Sequence, residues 1–264
     1  LIKKLGVEIT TWNRAIFNDQ CLKSLIWSNP KHSKIVVIDN LSTDDTREKV
    51  FPKYKDFEYI DIVLNDNNNG LGYAVNQGWD IMAESCDCLG WINNDFLFEP
   101  GWEQNLLTVF NDLDLDYIHG MPNSYRTTEV ETTENGGRYR TRIDMGAAFF
   151  IRTDHFKRGI TPEKKPFRKG HSGPGPGFYN QVRREKLKGV KLASPAIHKR
   201  YEEYNNPEMV EYYNSTFGTR GLMKKLTGYR TIERNEKLKN GLHWQGGLNW
   251  EEFKEKFYPN EKEN

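Results

Sequence analysis

Leu89-Gly90-Trp91-Ile92-Asn93-Asn94-Asp95-Phe96-Leu97-Phe98-Glu99-Pro100-Gly101-Trp102 is an apolar run that stops at two amides and an acid. Its start, Cys88 to Asn93, is too short for a helix and fits a buried strand. Three similar runs precede it, at Gly6 to Thr11, Lys34 to Asp39 and Tyr59 to Leu64. Helical patterns separate them at Ala15 to Trp27, Asp44 to Val50 and Leu71 to Glu84. Strands alternating with helices predict βαβ units, hence an α/β fold with a mostly parallel central sheet. Asn29-Pro30 closes the first helix, and Ser-Thr-Asp before Thr46 supplies N-cap chemistry.

Downstream, the pattern predicts a helix from Trp102 to Asn111 and a strand from Tyr117 to Met121. A hairpin is expected about Asn135-Gly136-Gly137, with arms Thr127 to Glu131 and Arg138 to Ile143. Further strands are expected at Ala147 to Ile151 and at Lys191 to Ile197, ending at His198, with a helix at Asn180 to Lys188. The Gly- and Pro-rich stretch from Thr161 to Phe178 suits a lid, on which Arg168, Lys169 and His171 meet phosphate. The expected organisation is one catalytic domain over 1–200, with a nucleotide-binding half (1–100) and an acceptor half (101–200), and a helical C-terminal extension over 201–264.

The 264 residues are only 36% hydrophobic with mean hydropathy −0.80, but 7 Trp, 13 Tyr and 14 Phe furnish a core. No stretch approaches the roughly 18 apolar residues of a membrane span, and no long apolar leader opens the chain, so a soluble, cytoplasmic protein is expected. Cys21, Cys86 and Cys88 are too few and too closely set for a redox or zinc pair and are expected as packing thiols. The net charge of +1 hides a polarity: Asp39 to Asp116 carries about −13 and Arg152 to Arg200 about +11. An anionic partner should meet the second half.

Three motifs carry chemistry. Thr10-Thr11-Trp12-Asn13-Arg14 and Asp39-Asn40-Leu41-Ser42-Thr43-Asp44-Asp45-Thr46 end the first two strands, where open parallel sheets form their binding crevice. An acid there accepts hydrogen bonds from a base or ribose, and Arg14 suits a phosphate. Asn69-Gly70-Leu71-Gly72 opens a helix near Asn76, bringing backbone close to an anion. Asn94 and Asp95 close the fourth strand, Asp95 being a hard oxygen ligand for Mg or Mn bridged to diphosphate. Taken singly, the first motif reads equally as turn and cap chemistry, and the Gly-x-Gly as a loop–helix junction.

Together these segments resemble the family 2 glycosyltransferases of the GT-A type, as do Gly146-Ala147-Ala148-Phe149-Phe150-Ile151-Arg152 and Ser194-Pro195-Ala196-Ile197-His198. The resemblance runs over roughly residues 5–200. It implies a GT-A, Rossmann-like three-layer α/β/α sandwich and transfer of a sugar from a nucleoside-diphosphate sugar, UDP or dTDP, to an acceptor hydroxyl. It also implies a divalent metal, Mn or Mg, on Asp95 of a DxD-like motif, with His198 as a further ligand. Donor contacts then fall to Thr10, Thr11, Asn13, Arg14, Asp39, Asn69, Gly70, Asn76 and Asn94.

Two departures stand out. The first acid of a DxD motif is Asn93 here, and the family's Glu-Asp pair falls at Pro176-Gly177-Phe178, so its usual catalytic base is missing. Asp144, just before the acceptor-side strand, and His171, on the predicted lid, are the substitutes considered. The expected acceptor is a glycan or lipid-linked saccharide. Two alternatives stay open: transfer to hydroxylated bases of DNA, suggested by aromatic residues among the basic ones, and a nucleotide-sugar-binding protein without turnover.

Overall fold

The computed structural model describes residues 1–120, 129–141, 148–164, 176–199 and 250–261. Four parallel strands open the chain: β1 (Leu5–Thr11), β2 (Ser33–Asp39), β3 (Ile60–Leu64) and β4 (Cys88–Asn93). Helices α1 (Ala15–Trp27) and α2 (Leu71–Met82) form two of the crossovers, as the alternation predicts. Between β2 and β3 the expected helix is a wide π turn over Thr46–Val50 followed by a short 3-10 turn at Phe51–Lys53. Pro52, which lacks an N–H, is compatible with the start of that turn but not with a continuing helix.

β4 is followed by β5 (Phe96–Phe98), then α3 (Trp102–Leu113), β6 (Tyr117–His119), β7 (Glu131–Thr132), β8 (Arg138–Arg140) and β9 (Phe149–Arg152). The chain continues through α4 (Thr153–Lys157), α5 (Pro176–Arg184), β10 (Gly189–Leu192) and β11 (Ile197–Lys199), and α6 (Trp250–Phe257) lies near its end. Nine strands make one sheet in the order β3-β2-β1-β4-β9-β6-β10-β8-β7, while β5 and β11 pair separately. β9 runs antiparallel to both β4 and β6. The single strand expected from Lys191 to Ile197 is two strands, because Ser194-Pro195 breaks it; proline donates no ladder hydrogen bond. β5 and α4 were not foreseen.

Side-chain alternation makes the three layers. Leu5, Val7, Ile9, Ile35 and Val37 face a core shared with α1 and α3, whereas Val36, Ile38, Leu89 and Trp91 face one shared with α2 and α5. The three cysteines are buried and unbridged, and burial raises the pKa of each thiol. No helix among the described residues is long and apolar enough to cross a membrane.

Candidate active site

The carboxyl ends of β1, β2 and β4 lie side by side, with Thr11 opposite Asp39 and Thr10 opposite Asn93. Asp39 is fully buried, and four donors fill its oxygens. Thr11 Oγ1 and the Ser42 N–H each lie at 3.0 Å, joined by the Ser42 hydroxyl and Arg47 Nε. Three of these partners fix the turn after β2. The fourth, Arg47, is 24% exposed and also donates to the Asn65 carbonyl at 2.6 Å.

The turn after β1 is locked against this one. Asn13 N–H donates to Ser42 Oγ at 2.7 Å and its Oδ1 accepts from Thr43 N–H at 2.7 Å, while Asp44 Oδ2 caps α1 through Ala15 N–H at 2.9 Å. Asn13 and Arg14 both adopt left-handed backbone, φ 55° and 70°, a strained state for residues with a Cβ. That kink carries Arg14 inward: its guanidinium lies 4.0 Å over Phe17, and Nη1 is 3.8 Å from Asp95 Oδ2. Asn94 donates to Asn18 at 2.7 Å beside it. Thr11, Asn13, Arg14, Asp39, Asn94 and Asp95, drawn from three separated motifs, therefore share one sheet edge.

Asp95 leads into β5, whose partner β11 sets His198 opposite Leu97. Glu99, at the far end of the turn motif, takes Ser194 Oγ at 2.5 Å, Ala196 N–H at 3.0 Å and His198 Nε2 at 2.9 Å. Burial opposes ionisation of Glu99, but the hydrogen bonds from His198 and Ser194, His198's charge and the Ala196 N–H outweigh it and hold the pKa below its ordinary value. An ionised Glu99 only accepts, so Nε2 is the nitrogen that donates; in the neutral imidazole the lone pair is then on Nδ1. Nδ1 is buried without a hydrogen-bond partner. A carboxylate-oriented imidazole with its second nitrogen unclaimed fits a metal ligand. No three His, Cys, Asp or Glu side chains among the described residues converge as a complete metal site. Asp95 and His198 would thus hold an ion only with oxygens from a bound ligand.

On the other side of the crevice Gly70, at φ 93°, opens α2, its N–H held by Asn68 Oδ1 at 3.0 Å, with Asn69 exposed beside it. Asn76 is buried, and its amide donates to Gly72 O at 2.6 Å and Pro162 O at 2.9 Å. It ties residues 161–164 to α2. Asp144, His171 and most of the predicted lid lie outside the described residues. Where the resemblance places Glu-Asp, Phe178 is buried in the core, its ring 5.1 Å from Phe149 and 6.2 Å from Trp79.

Two polar groups on this face escaped the sequence reading. Glu8 is fully buried in β1; burial raises its pKa well above the carboxylate range, and the 2.6 Å hydrogen bond from Thr10 Oγ1 opposes this only in part. Its Oε2 has no partner, and a methyl at Gly78 would collide with its stem. His119, paired in register with Lys191, is held neutral, its pKa pushed down to about 3 by burial and then by the lysine charge. The available signal was a titratable residue inside an otherwise apolar strand.

An open, mostly parallel sheet with ligand-type side chains at its carboxyl edge and a reversed strand, β9, beside β4 defines a glycosyltransferase fold of the GT-A type. The chain belongs to glycosyl transferase family 2, whose sequence model matches residues 7–190. A Campylobacter jejuni GalNAc(5)-diNAcBac-PP-undecaprenol beta-1,3-glucosyltransferase is 35% identical over 80 residues, 27% of this chain and 26% of that protein. The match thus spans about a quarter of the relative's length. Among solved structures, S. aureus TarS 1-349 in complex with UDP-GlcNAc superposes with a TM-score of 0.60 at 17% identity, covering 90% of this chain and 70% of that one. The mannosyltransferase PcManGT from Pyrobaculum calidifontis, in complex with GDP-Man and Mn2+, superposes at 0.60 with 11% identity over 91% and 80% of the two chains.

Proposed function

We propose that this protein transfers a sugar from a nucleoside-diphosphate sugar to a hydroxyl of a glycan or lipid-linked saccharide, with a divalent metal at Asp95 and His198. The observation that carries the reading is the convergence of the β1, β2 and β4 termini on Asp95, with His198 oriented by Glu99 on the adjoining strand pair. The nucleoside lies at Asp39 and Thr11, its base or ribose replacing Arg47. Asn13, Arg14 and the backbone about Asn69 and Gly70 border the diphosphate. Held by Asp95 and His198, a Mn or Mg ion would supply charge neutralisation for the leaving diphosphate. A lipid-linked saccharide agrees with the activity for which the C. jejuni relative is named, and a UDP or GDP donor with the ligands of the two solved structures.

The test is calorimetric titration of UDP, dTDP and GDP with and without Mn, together with nucleotide release from the corresponding sugars. At least one nucleotide should bind more tightly with Mn. Asp95→Asn should remove that gain, and Asp39→Asn should weaken nucleotide binding roughly ten- to a hundredfold, the loss of a charge-assisted hydrogen bond of about 1.5–3 kcal/mol. Metal-independent binding unchanged by Asp95→Asn would overturn the metal assignment. Release of nucleotide by the wild type separates an enzyme from a binding protein without turnover.

A further inference from the structure

Gly177, on the first turn of α5, stands where the resemblance calls for an acid, and the space its side chain would fill is occupied. A Cβ built there would coincide with Glu163 Oε1 and lie 2.5 Å from Glu163 Cδ. The carboxylate missing from the sequence at this point is thus supplied in space by a residue fourteen positions earlier. A second glycine accommodates the same residue from the opposite side. A Cβ on Gly72, in the first turn of α2, would run into the backbone carbonyl of Glu163, with its carbonyl carbon at 2.8 Å.

The segment that carries Glu163 is held on both flanks. Asn76 Nδ2 on α2 donates to Pro162 O at 2.9 Å, and Thr161 N–H donates to Gln181 Oε1 on α5 at 3.2 Å. Glu163 therefore sits at the α2–α5 junction with its carboxylate at the N-terminal turn of α5, which contributes no acid of its own. General-base work demands a carboxylate fixed in position, and the contacts to α2 and α5 fix this one.

We infer that Glu163 is the catalytic base of the sugar transfer, in place of the missing pair on α5; the inference rests on the function proposed above. In that step the acceptor oxygen forms its bond to the anomeric carbon as the hydroxyl proton passes to Glu163. The bond from that carbon to the diphosphate breaks, and its electron pair leaves with the nucleoside diphosphate. In-line displacement of this kind inverts the anomeric centre.

The experiment measures donor binding by calorimetry and turnover as nucleotide release from UDP-GlcNAc, UDP-glucose and GDP-mannose, water serving as acceptor. Glu163→Gln should bind the nucleotide within about threefold of wild type and turn over roughly a hundred- to ten-thousandfold more slowly, the usual loss on removing a general base. Formate should restore part of the activity of Glu163→Ala, a response that a merely structural carboxylate would not give. Gly177→Ala, whose methyl displaces the carboxylate, should lose turnover while keeping donor affinity. Near-normal turnover by Glu163→Gln, no rescue by formate, or a matching loss in Asp144→Asn but not in Glu163→Gln would overturn the assignment. A wild type that neither binds nor hydrolyses any of the three donors would overturn the proposed function, and this inference with it.

Discussion

Two buried glutamates show how differently one residue type behaves in one fold. Glu8 lies in an apolar layer with one oxygen unpartnered, and burial keeps its proton on; Glu99 accepts three hydrogen bonds, and these keep its proton off. The linkage signs are opposite. Between the unfolded pKa of about 4.3 and the raised folded value, the unfolded chain releases the Glu8 proton while the folded chain retains it. Stability therefore declines as pH rises through that window. For Glu99 the folded pKa is depressed, so its contribution is present above about pH 4.3 and disappears as pH falls through the folded value. Melting temperature measured against pH should show Glu8→Gln flattening the decline above about pH 4.3 and Glu99→Gln flattening the acid limb. A single slope shared by both variants would contradict the two environments. Glu99→Gln should also weaken Mn-dependent nucleotide binding, by roughly the 10- to 100-fold typical of a lost carboxylate behind a histidine ligand. At this scale the sequence was partly legible. Asp39, Asn94 and Asp95 were visible because turn-type polar residues closed apolar runs. Glu8 and Glu163 were not, because their meaning depends on glycines at 78, 72 and 177 that only the fold brings beside them.

The elements that alternation could encode, β1 to β4 with α1 and α2, were legible within a residue or two. Those missed, β5 and α4, are short, and their patterns depend on partners far along the chain: β5 exists because β11 pairs with it about a hundred residues later. Of the helical extension expected over 201–264, residues 200–249 and 262–264 lie outside the described residues. In the structure α6 lies on the β5–β11 pair. Phe253 is fully buried in a cluster with Leu97, Trp250 and Tyr258, and its ring is 5.8 Å from His198. Tyr258 closes the contact by donating to Phe98 O at 2.6 Å. This helix is a wall of the candidate metal site. Phe253→Ala should cost about 3–5 kcal/mol, the usual range for an aromatic core truncation, and should weaken Mn-dependent binding by loosening the His198 ring. Urea denaturation and Mn titration of the same variant check both. A stability loss with metal-dependent affinity unchanged would separate α6 from the site.

Across the whole molecule, a division into a nucleotide half and an acceptor half follows the charge pattern but not the packing. β4 pairs on one edge with β1 and on the other with β9, placing Trp91 beside Phe149, so the central ladder crosses the proposed boundary at residue 100. Each large core draws side chains from both sides of it: Ile92 and Phe98 pack with Leu106 and Phe150 in one, and Trp79 and Trp91 with Phe149 and Phe178 in the other. Trp102, just past the boundary, lies 5.1 Å from Phe98 and 6.2 Å from Phe150 and joins the halves directly. A chain ending at Gly101 would keep four parallel strands yet expose an unpaired β4 edge and the apolar surface that α3 and α5 cover. Parallel strands tolerate such exposure poorly, since both faces of the sheet must be buried. The expectation is that residues 1–101 and 102–264, expressed separately, each lack a cooperative thermal transition. Coexpressed, they should associate and recover one transition together with nucleotide binding, because the cut falls at an exposed turn between β5 and α3. Calorimetric scans and titration with UDP and GDP decide the matter. A cooperative transition or nucleotide binding in the isolated first fragment would mean that the nucleotide half is an independent folding unit, and that the acceptor half docks onto a preformed site rather than completing it.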